Sequence, residues 1–164
     1  ELNNTVIVIY GDHSGLYQDQ RSLVEDLLNL DGSNIDWLKI QKVPLWIYTG
    51  SELEGRTIDK VGGQIDILPT ILDLYGINHP YALGNSLLVE DDGSCLKRDG
   101  TVILKDYYYD NIEKALYDMN TNELVENSIV MEAVKEKQKE LIVSDTILKK
   151  DLINNNKLLE IISN

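Results

Sequence analysis

The most constraining stretch of the chain is Thr5-Val6-Ile7-Val8-Ile9-Tyr10-Gly11-Asp12-His13-Ser14-Gly15: five β-branched residues in succession, then a glycine, a carboxylate and an imidazole. β-Branched side chains fit a pleated strand and crowd a helix. A run without polar alternation reads as a strand buried on both faces, as in a parallel sheet covered by helices. The sequence thus predicts an α/β fold in which residues 5–9 form a central strand. Gly11 permits a sharp turn, which puts Asp12 and His13 at the carboxyl end of that strand, where open α/β sheets place their ligands. A hard anionic oxygen beside a borderline imidazole nitrogen, on a rigid strand end, suits two positions around Mn²⁺, Mg²⁺ or Zn²⁺. An Asp-His step after a strand is about as often a simple turn with a capping carboxylate, so the pair by itself leaves both readings open.

The 164 residues are 43% hydrophobic, enough for one domain with a packed core. The chain opens on Glu1, four residues ahead of the strand, which predicts a piece of a larger fold. No run approaches the roughly 18 apolar residues of a membrane helix and no leader precedes the strand, so any anchor or export signal is expected upstream. Cys95 is the only cysteine, which excludes an intrachain disulfide and argues against a zinc site built on thiolates. A formal net charge of −13 disfavours nucleic acid, whose binding needs clustered Lys and Arg. An acidic body also repels anionic phosphate or sulfate esters, so a substrate of that kind needs positive charge from a metal or from residues outside this chain. Failing such a substrate, the charge only favours solubility.

Further along, Leu23, Val24, Leu27 and Leu28 give a helical stripe with Asp19 as candidate N-cap, whereas residues 35–40 show no clear period. Val43-Pro44-Leu45-Trp46-Ile47-Tyr48-Thr49-Gly50 predicts a second strand beside the first, and residues 51–60 a loop. Asp66 is a candidate cap for a helix with Pro69 in its first turn, Leu68, Ile71, Leu72 and Tyr75 on its inner face and Gly76 as its C-terminal cap; Asp73 belongs to its solvated face. His79 reads as a surface residue. Residues 101–109 predict a strand and 112–119 its hairpin partner, with Tyr107, Tyr108 and Tyr109 pointing alternately to opposite faces and so unable to form one stack. A helix from Ser128, with a solvated charge run over 135–140, is expected to break at Ser144-Asp145 before a second helix over 146–153. Asn154 to Asn156 then fray it, and an apolar tail over 157–162 closes the chain.

Four pieces in this order resemble the C-terminal part of the lipoteichoic acid synthase family, phosphoglycerol transferases of the sulfatase and alkaline phosphatase superfamily. They are Val8-Ile9-Tyr10-Gly11-Asp12-His13, Val43-Pro44-Leu45-Trp46-Ile47, Gly62-Gly63-Gln64-Ile65-Asp66-Ile67-Leu68-Pro69-Thr70-Ile71-Leu72 and Leu83-Gly84-Asn85-Ser86-Leu87-Leu88. Leu116-Tyr117-Asp118-Met119-Asn120-Thr121 and Ser144-Asp145-Thr146-Ile147-Leu148 resemble that family's end. The resemblance implies that residues 1–164 are the C-terminal portion of a sulfatase-like catalytic domain: part of the sheet with flanking helices, then a β-hairpin and C-terminal helices. It implies that Asp12 and His13 are ligands of one divalent metal, Mn²⁺ first, with Mg²⁺, Ca²⁺ and Zn²⁺ as other candidates. A nucleophilic threonine and a glutamate ligand are expected in the N-terminal half.

The parent protein is then expected at the bacterial cell membrane with its catalytic domain outside, moving glycerophosphate from a phosphatidylglycerol-type lipid to a hydroxyl of a cell-envelope polymer. The sequence departs from the family pattern at Ser14, where relatives usually carry tyrosine, which leaves the acceptor open. A hydrolase of sulfuric or phosphoric esters on the same frame and a non-catalytic envelope-binding module are the alternatives. The 164 residues alone are expected to be folded and soluble, catalytically inactive and weak in Mn²⁺ binding, since two ligands leave most of the coordination shell to water. Their open apolar surface around residues 6–9 favours self-association.

Overall fold

The computed structural model describes residues 2–50, 54–79 and 82–153. They form two compact units, Glu1–Thr57 and Ile58–Asn164.

In the first unit a 3₁₀ turn (Leu2–Asn4) leads into strand β1 (Ile7–Tyr10), and a second 3₁₀ turn (Gln18–Gln20) runs into helix α1 (Arg21–Leu28). Helix α2 (Asn34–Ile40) and strand β2 (Leu45–Tyr48) follow. The two strands pair antiparallel, with Ile7 opposite Tyr48, Ile9 opposite Trp46 and Tyr10 opposite Leu45. One face carries Val8, Leu45 and Ile47 half-buried; Ile7, Ile9, Trp46 and Tyr48 on the other are exposed. The parallel pairing and double-sided burial expected for residues 5–9 are therefore not what this unit shows. β-Branching sets the strand, but its direction and cover depend on elements far away in sequence, which a local pattern does not encode.

Asp19 does not cap α1. It lies within the 3₁₀ turn, and Tyr17 N–H instead donates to Gln20 Oε1 at 3.1 Å. Leu23, Leu27 and Leu28 are exposed on the surface helix. The aperiodic residues 35–40 become α2 because Ser33 Oγ accepts the Asp36 N–H at 3.1 Å, a true N-cap, and because Ile35 and Trp37 are buried. Arg21 joins the two helices: Nε donates to Glu25 Oε1 at 2.5 Å, Nη1 to Asn34 Oδ1 at 2.9 Å and Nη2 to the Gly32 carbonyl at 2.7 Å, with the guanidinium 5.6 Å from the Trp37 ring. Arg21→Ala is expected to cost about 2 kcal/mol, and Arg21→Lys nearly as much because a single ammonium does not span the fork. Urea unfolding followed by tryptophan fluorescence measures both.

The second unit holds α3 (Ile67–Leu74), the strands β3 (Cys95–Leu96), β4 (Val102–Ile103), β5 (Tyr107–Asp110) and β6 (Ala115–Asp118), and α4 (Ser128–Lys149). The strands make one antiparallel sheet in sequence order. Leu96, Val102, Tyr109 and Leu116 form one cross-strand row, which packs with Val134, Val130 and Met131 of α4 into the core. The neighbouring row holds Cys95, Ile103, Tyr108 and Tyr117, where buried Tyr108 stacks on Tyr117 at 5.0 Å and 13°. The tyrosines thus divide between faces, as strand alternation requires.

Residues 101–109 are a hairpin rather than one strand. Lys105-Asp106 turns the chain between β4 and β5, and Leu104 N–H donates to the Tyr107 carbonyl at 2.8 Å. The turn carries no Gly or Asn to announce it. β6 lies within the predicted 112–119 partner.

α4 starts where expected, Asn127 Oδ1 accepting the Ile129 and Val130 N–H groups at 3.2 Å. It runs through Ser144-Asp145 without the predicted break. Asp145 accepts from Arg98 Nη2 at 2.8 Å, and Thr146 Oγ1 donates to the Ile142 carbonyl at 2.7 Å, so these polar groups are satisfied inside a continuing helix. Lys137 is buried and paired with Glu140 at 2.8 Å, so the 135–140 charge run is not uniformly solvated. The predicted fraying over 154–156 and the apolar tail over 157–162 lie outside the described residues. Among the described residues, no helix is long and apolar enough to cross a membrane.

Candidate metal centre

Asp12 and His13 follow β1 directly, as predicted, and both are exposed, by 84% and 70% of their side-chain surface. His13 Nδ1 lies 2.7 Å from the Ser14 carbonyl oxygen. A carbonyl only accepts, so Nδ1 is the donor in this contact, and the lone pair that the ring can offer a cation is on Nε2. That nitrogen stands 3.6 Å from Asp12 Oδ1, too far for a hydrogen bond. Two donors each about 2.1 Å from a common ion are at most about 4.2 Å apart, so the spacing and the donor chemistry fit one divalent cation. A backbone carbonyl fixing the remote nitrogen is also how metal-bound imidazoles are usually oriented. Among the described residues, no group of three or more His, Cys, Asp or Glu side chains is placed to hold a metal ion.

Asp66, in the third of the resembling motifs, is taken up by hydrogen bonds within its own unit. Asp66 is 2% exposed and makes no side-chain cap to α3; its Oδ2 accepts Gly63 N–H and its Oδ1 accepts Asn85 N–H, both at 2.8 Å. Thr70 Oγ1 donates to the Asp66 carbonyl at 2.6 Å and accepts Leu87 N–H at 2.9 Å. The inner face of α3 therefore runs through Asp66 and Thr70, while Leu68 and Tyr75, expected inside, are exposed. Gly76 does close the helix: its N–H donates to the Asp73 carbonyl at 3.0 Å and Ile77 N–H to Leu72 at 2.8 Å. Asp73 accepts from Ser86 Oγ at 2.6 Å rather than facing water alone. Gly84 sits at φ +85°, and a Cβ there would come within 2.7 Å of Asp66 Oδ1, so the Leu83-Gly84-Asn85 segment and the Asp66 helix are matched to each other. His79 is exposed, as expected.

Sequence reasoning missed Lys60. Its side chain is 5% exposed, and the ammonium donates to the Ser86 and Val89 carbonyls at 3.1 and 3.0 Å, with Asp91 Oδ1 at 2.6 Å. Together with Asp66, Asn85, Asp91 and Asp92 it lines an open cleft of ≈ 300 Å³. The hydrogen bond from Lys60 holds the Asp91 carboxyl below its ordinary value of 3.8. A depressed carboxylate contributes stability above the ordinary value and loses it as the pH falls through the folded one. Asp91→Asn is therefore expected to flatten the fall in melting temperature between about pH 5 and pH 3, read by thermal denaturation across that range. Burial, and next the charge of Asp66, push the Cys95 thiol upward, which disfavours its thiolate.

The fold of these elements is sulfatase-like. The chain superposes on the crystal structure of the lipoteichoic acid synthase LtaP from Listeria monocytogenes with a TM-score of 0.71 at 22% identity, over 90% of this chain and 39% of that one. In sequence it is 34% identical over 157 residues to the lipoteichoic acid synthase of Staphylococcus saprophyticus, covering 92% of this chain and 24% of that protein. It is 29% identical over 160 residues to lipoteichoic acid synthase 1 of Bacillus subtilis, covering 95% and 25%. No family model matches the chain. The chain is a homologue of the C-terminal part of lipoteichoic acid synthases, and spans about a quarter of the length of these curated relatives.

Proposed function

We propose that this chain supplies the Asp-His half of the metal site of a phosphoglycerol transferase, which moves glycerophosphate from a phosphatidylglycerol-type lipid to a hydroxyl of a cell-envelope acceptor. The observation that carries the reading is the donor pair at the end of β1, Asp12 Oδ1 and His13 Nε2 at 3.6 Å with the imidazole tautomer set by Ser14, in a homologue of lipoteichoic acid synthases. A divalent cation, Mn²⁺ first, supplies charge that lowers the pKa of a nucleophilic hydroxyl and offsets charge on phosphoryl oxygens. Asp12 brings the anionic oxygen, His13 the neutral nitrogen, and the Ser14 carbonyl keeps the Nδ1 proton away from the ion. On this reading the nucleophile and the remaining ligands come from outside these 164 residues. The acidic body, at −13, makes the metal the main local attraction for an anionic headgroup. The catalytic domain acts at the outer face of the bacterial membrane.

The test is product analysis with the protein that carries this chain, on a fluorescent phosphatidylglycerol and on a nitrophenyl ester, with and without Mn²⁺. Metal-dependent release of diacylglycerol with glycerophosphate on the acceptor supports the reading. Ester hydrolysis without transfer makes the protein a hydrolase of the same fold. Neither reaction in the metal-loaded protein leaves a binding module. The 164 residues alone are expected to show no turnover and only weak Mn²⁺ binding by calorimetry. Submicromolar binding or turnover there places a complete site within this chain.

A further inference from the structure

Asp12 and His13 depend on the backbone that delivers them, and Gly11 is where that backbone is most crowded. A Cβ built on Gly11 stands 2.7 Å from Val43 Cβ and 3.0 Å from Val43 Cγ1. The first of these atoms is bonded to the Val43 main chain, so no rotamer change relieves the contact and the backbone itself has to shift. Gly11 N–H meanwhile donates to the Pro44 carbonyl at 3.0 Å, continuing the β1–β2 ladder one step past the strand. Gly11 is not among the glycines with positive φ. Space, rather than a left-handed conformation, is what excludes a side chain there.

We propose that Gly11 is a positioning residue for the donor pair: its bare Cα lets the end of β1 close against Val43 and Pro44, and this close approach sets where Asp12 Oδ1 and His13 Nε2 stand relative to each other. The inference rests on the reading of Asp12 and His13 as ligands of one cation, and adds the Pro44 carbonyl as the group that registers the strand end, with Val43 as the wall that leaves no room for a side chain on Gly11. A methyl group on Gly11 cannot keep both the Pro44 hydrogen bond and the Val43 contact. The strand end must move away, carrying the next two residues with it. Displacements of this size matter because a metal site is held to within about 0.5 Å of its working geometry.

The test uses the full 164-residue chain, isotopically labelled, titrated with Mn²⁺ and read by line broadening at the Asp12 and His13 side chains, with ring ¹⁵N shifts reporting the Nδ1 proton and circular dichroism the melting temperature. Gly11→Ala is expected to weaken the Mn²⁺ response by about tenfold to a hundredfold, the range seen when a supporting partner of a metal ligand is lost. Val43→Gly removes both atoms that the new methyl meets, so Gly11→Ala/Val43→Gly is expected to recover most of the response that Gly11→Ala loses. A Gly11→Ala chain with an unchanged response overturns the proposal, even if its melting temperature falls. So does a double variant that stays as weak as the single one, or fails to fold alongside it. If the unaltered chain shows no broadening at Asp12 and His13, the metal reading fails instead. The positioning role is then decided by the His13 ring shifts, which must change in Gly11→Ala and return in the double variant.

Discussion

Asp12→Ala and His13→Ala are each expected to abolish turnover in the protein that carries this chain and to lower its metal affinity by at least about a hundredfold, since even outer partners of metal ligands are worth 10–100-fold. The same variants are expected to unfold within about 1 kcal/mol of the unaltered protein, because both side chains are largely exposed and the His13 hydrogen bond to Ser14 is made at the surface between neighbouring residues. The side chains concerned are 84% and 70% exposed. Metal content, product formation and melting temperature, measured together, separate a lost ligand from a lost fold. His13→Gln offers a finer comparison. It keeps a polar group of similar reach but not the Nδ1–H bond to the Ser14 carbonyl that orients Nε2, so it is expected to retain little more activity than the alanine variant. Full metal content and turnover in both alanine variants would remove Asp12 and His13 from the site.

How far such residues can be read from sequence depends on what their signal encodes. The turn Gly11-Asp12-His13 was legible because a β-branched run stopping at glycine is a local event, and local events leave local patterns. The helix with Pro69 near its start and Gly76 at its close was legible for the same reason, both residues acting through their own backbone. The cover of β1 was not: whether Ile7, Ile9, Trp46 and Tyr48 meet another layer depends on chain that no window around them contains. The hairpin hidden in residues 101–109 failed differently. Lys105-Asp106 has neither the glycine nor the asparagine of the favoured two-residue hairpin turns, and sheet pairing overrode a continuous β-propensity. At Ser144-Asp145 the error ran the other way. Good capping residues do not end a helix whose polar side chains find partners such as Arg98 and the Ile142 carbonyl.

Lys60 and Asp66 share a third reason. Each is charged, each stands next to segments rich in polar residues, and each was placed at the surface or at a helix end by its type. Both side chains are buried where the backbone of residues 84–91 loops over them: Lys60 gives a second donor to the Ser86 and Val89 carbonyls, which also accept N–H groups from within the segment, and Asp66 accepts the Asn85 N–H. The sign of this in the sequence is indirect. Leu83-Gly84-Asn85-Ser86 has loop composition, and a loop held against a helix needs polar side chains from that helix.

Asp66→Ala is accordingly expected to cost about 3 kcal/mol or more, well above the roughly 1 kcal/mol of a lost helix cap. The carboxylate accepts two N–H groups, from Gly63 and Asn85, each at 2.8 Å and each part-buried. Hydrogen bonds to a charged partner are worth about 1.5–3 kcal/mol, and truncation leaves both donors without an acceptor in a place water reaches poorly. Asp66→Asn is expected to rescue little, since one of its two terminal atoms becomes a donor facing a donor. Thr70→Val serves as the scale, because it removes one bond from Leu87 N–H and one to the Asp66 carbonyl, both neutral, and is expected to cost about 1–2 kcal/mol. Urea unfolding gives the totals. Hydrogen exchange at the Gly63 and Asn85 amides locates them, with faster exchange at both in the Asp66 variants and at Leu87 in the Thr70 variant. A loss near 1 kcal/mol with unchanged exchange at Asn85 would reduce Asp66 to an ordinary cap. The larger loss, centred on those two amides, is what a carboxylate holding the 84–88 segment to α3 requires.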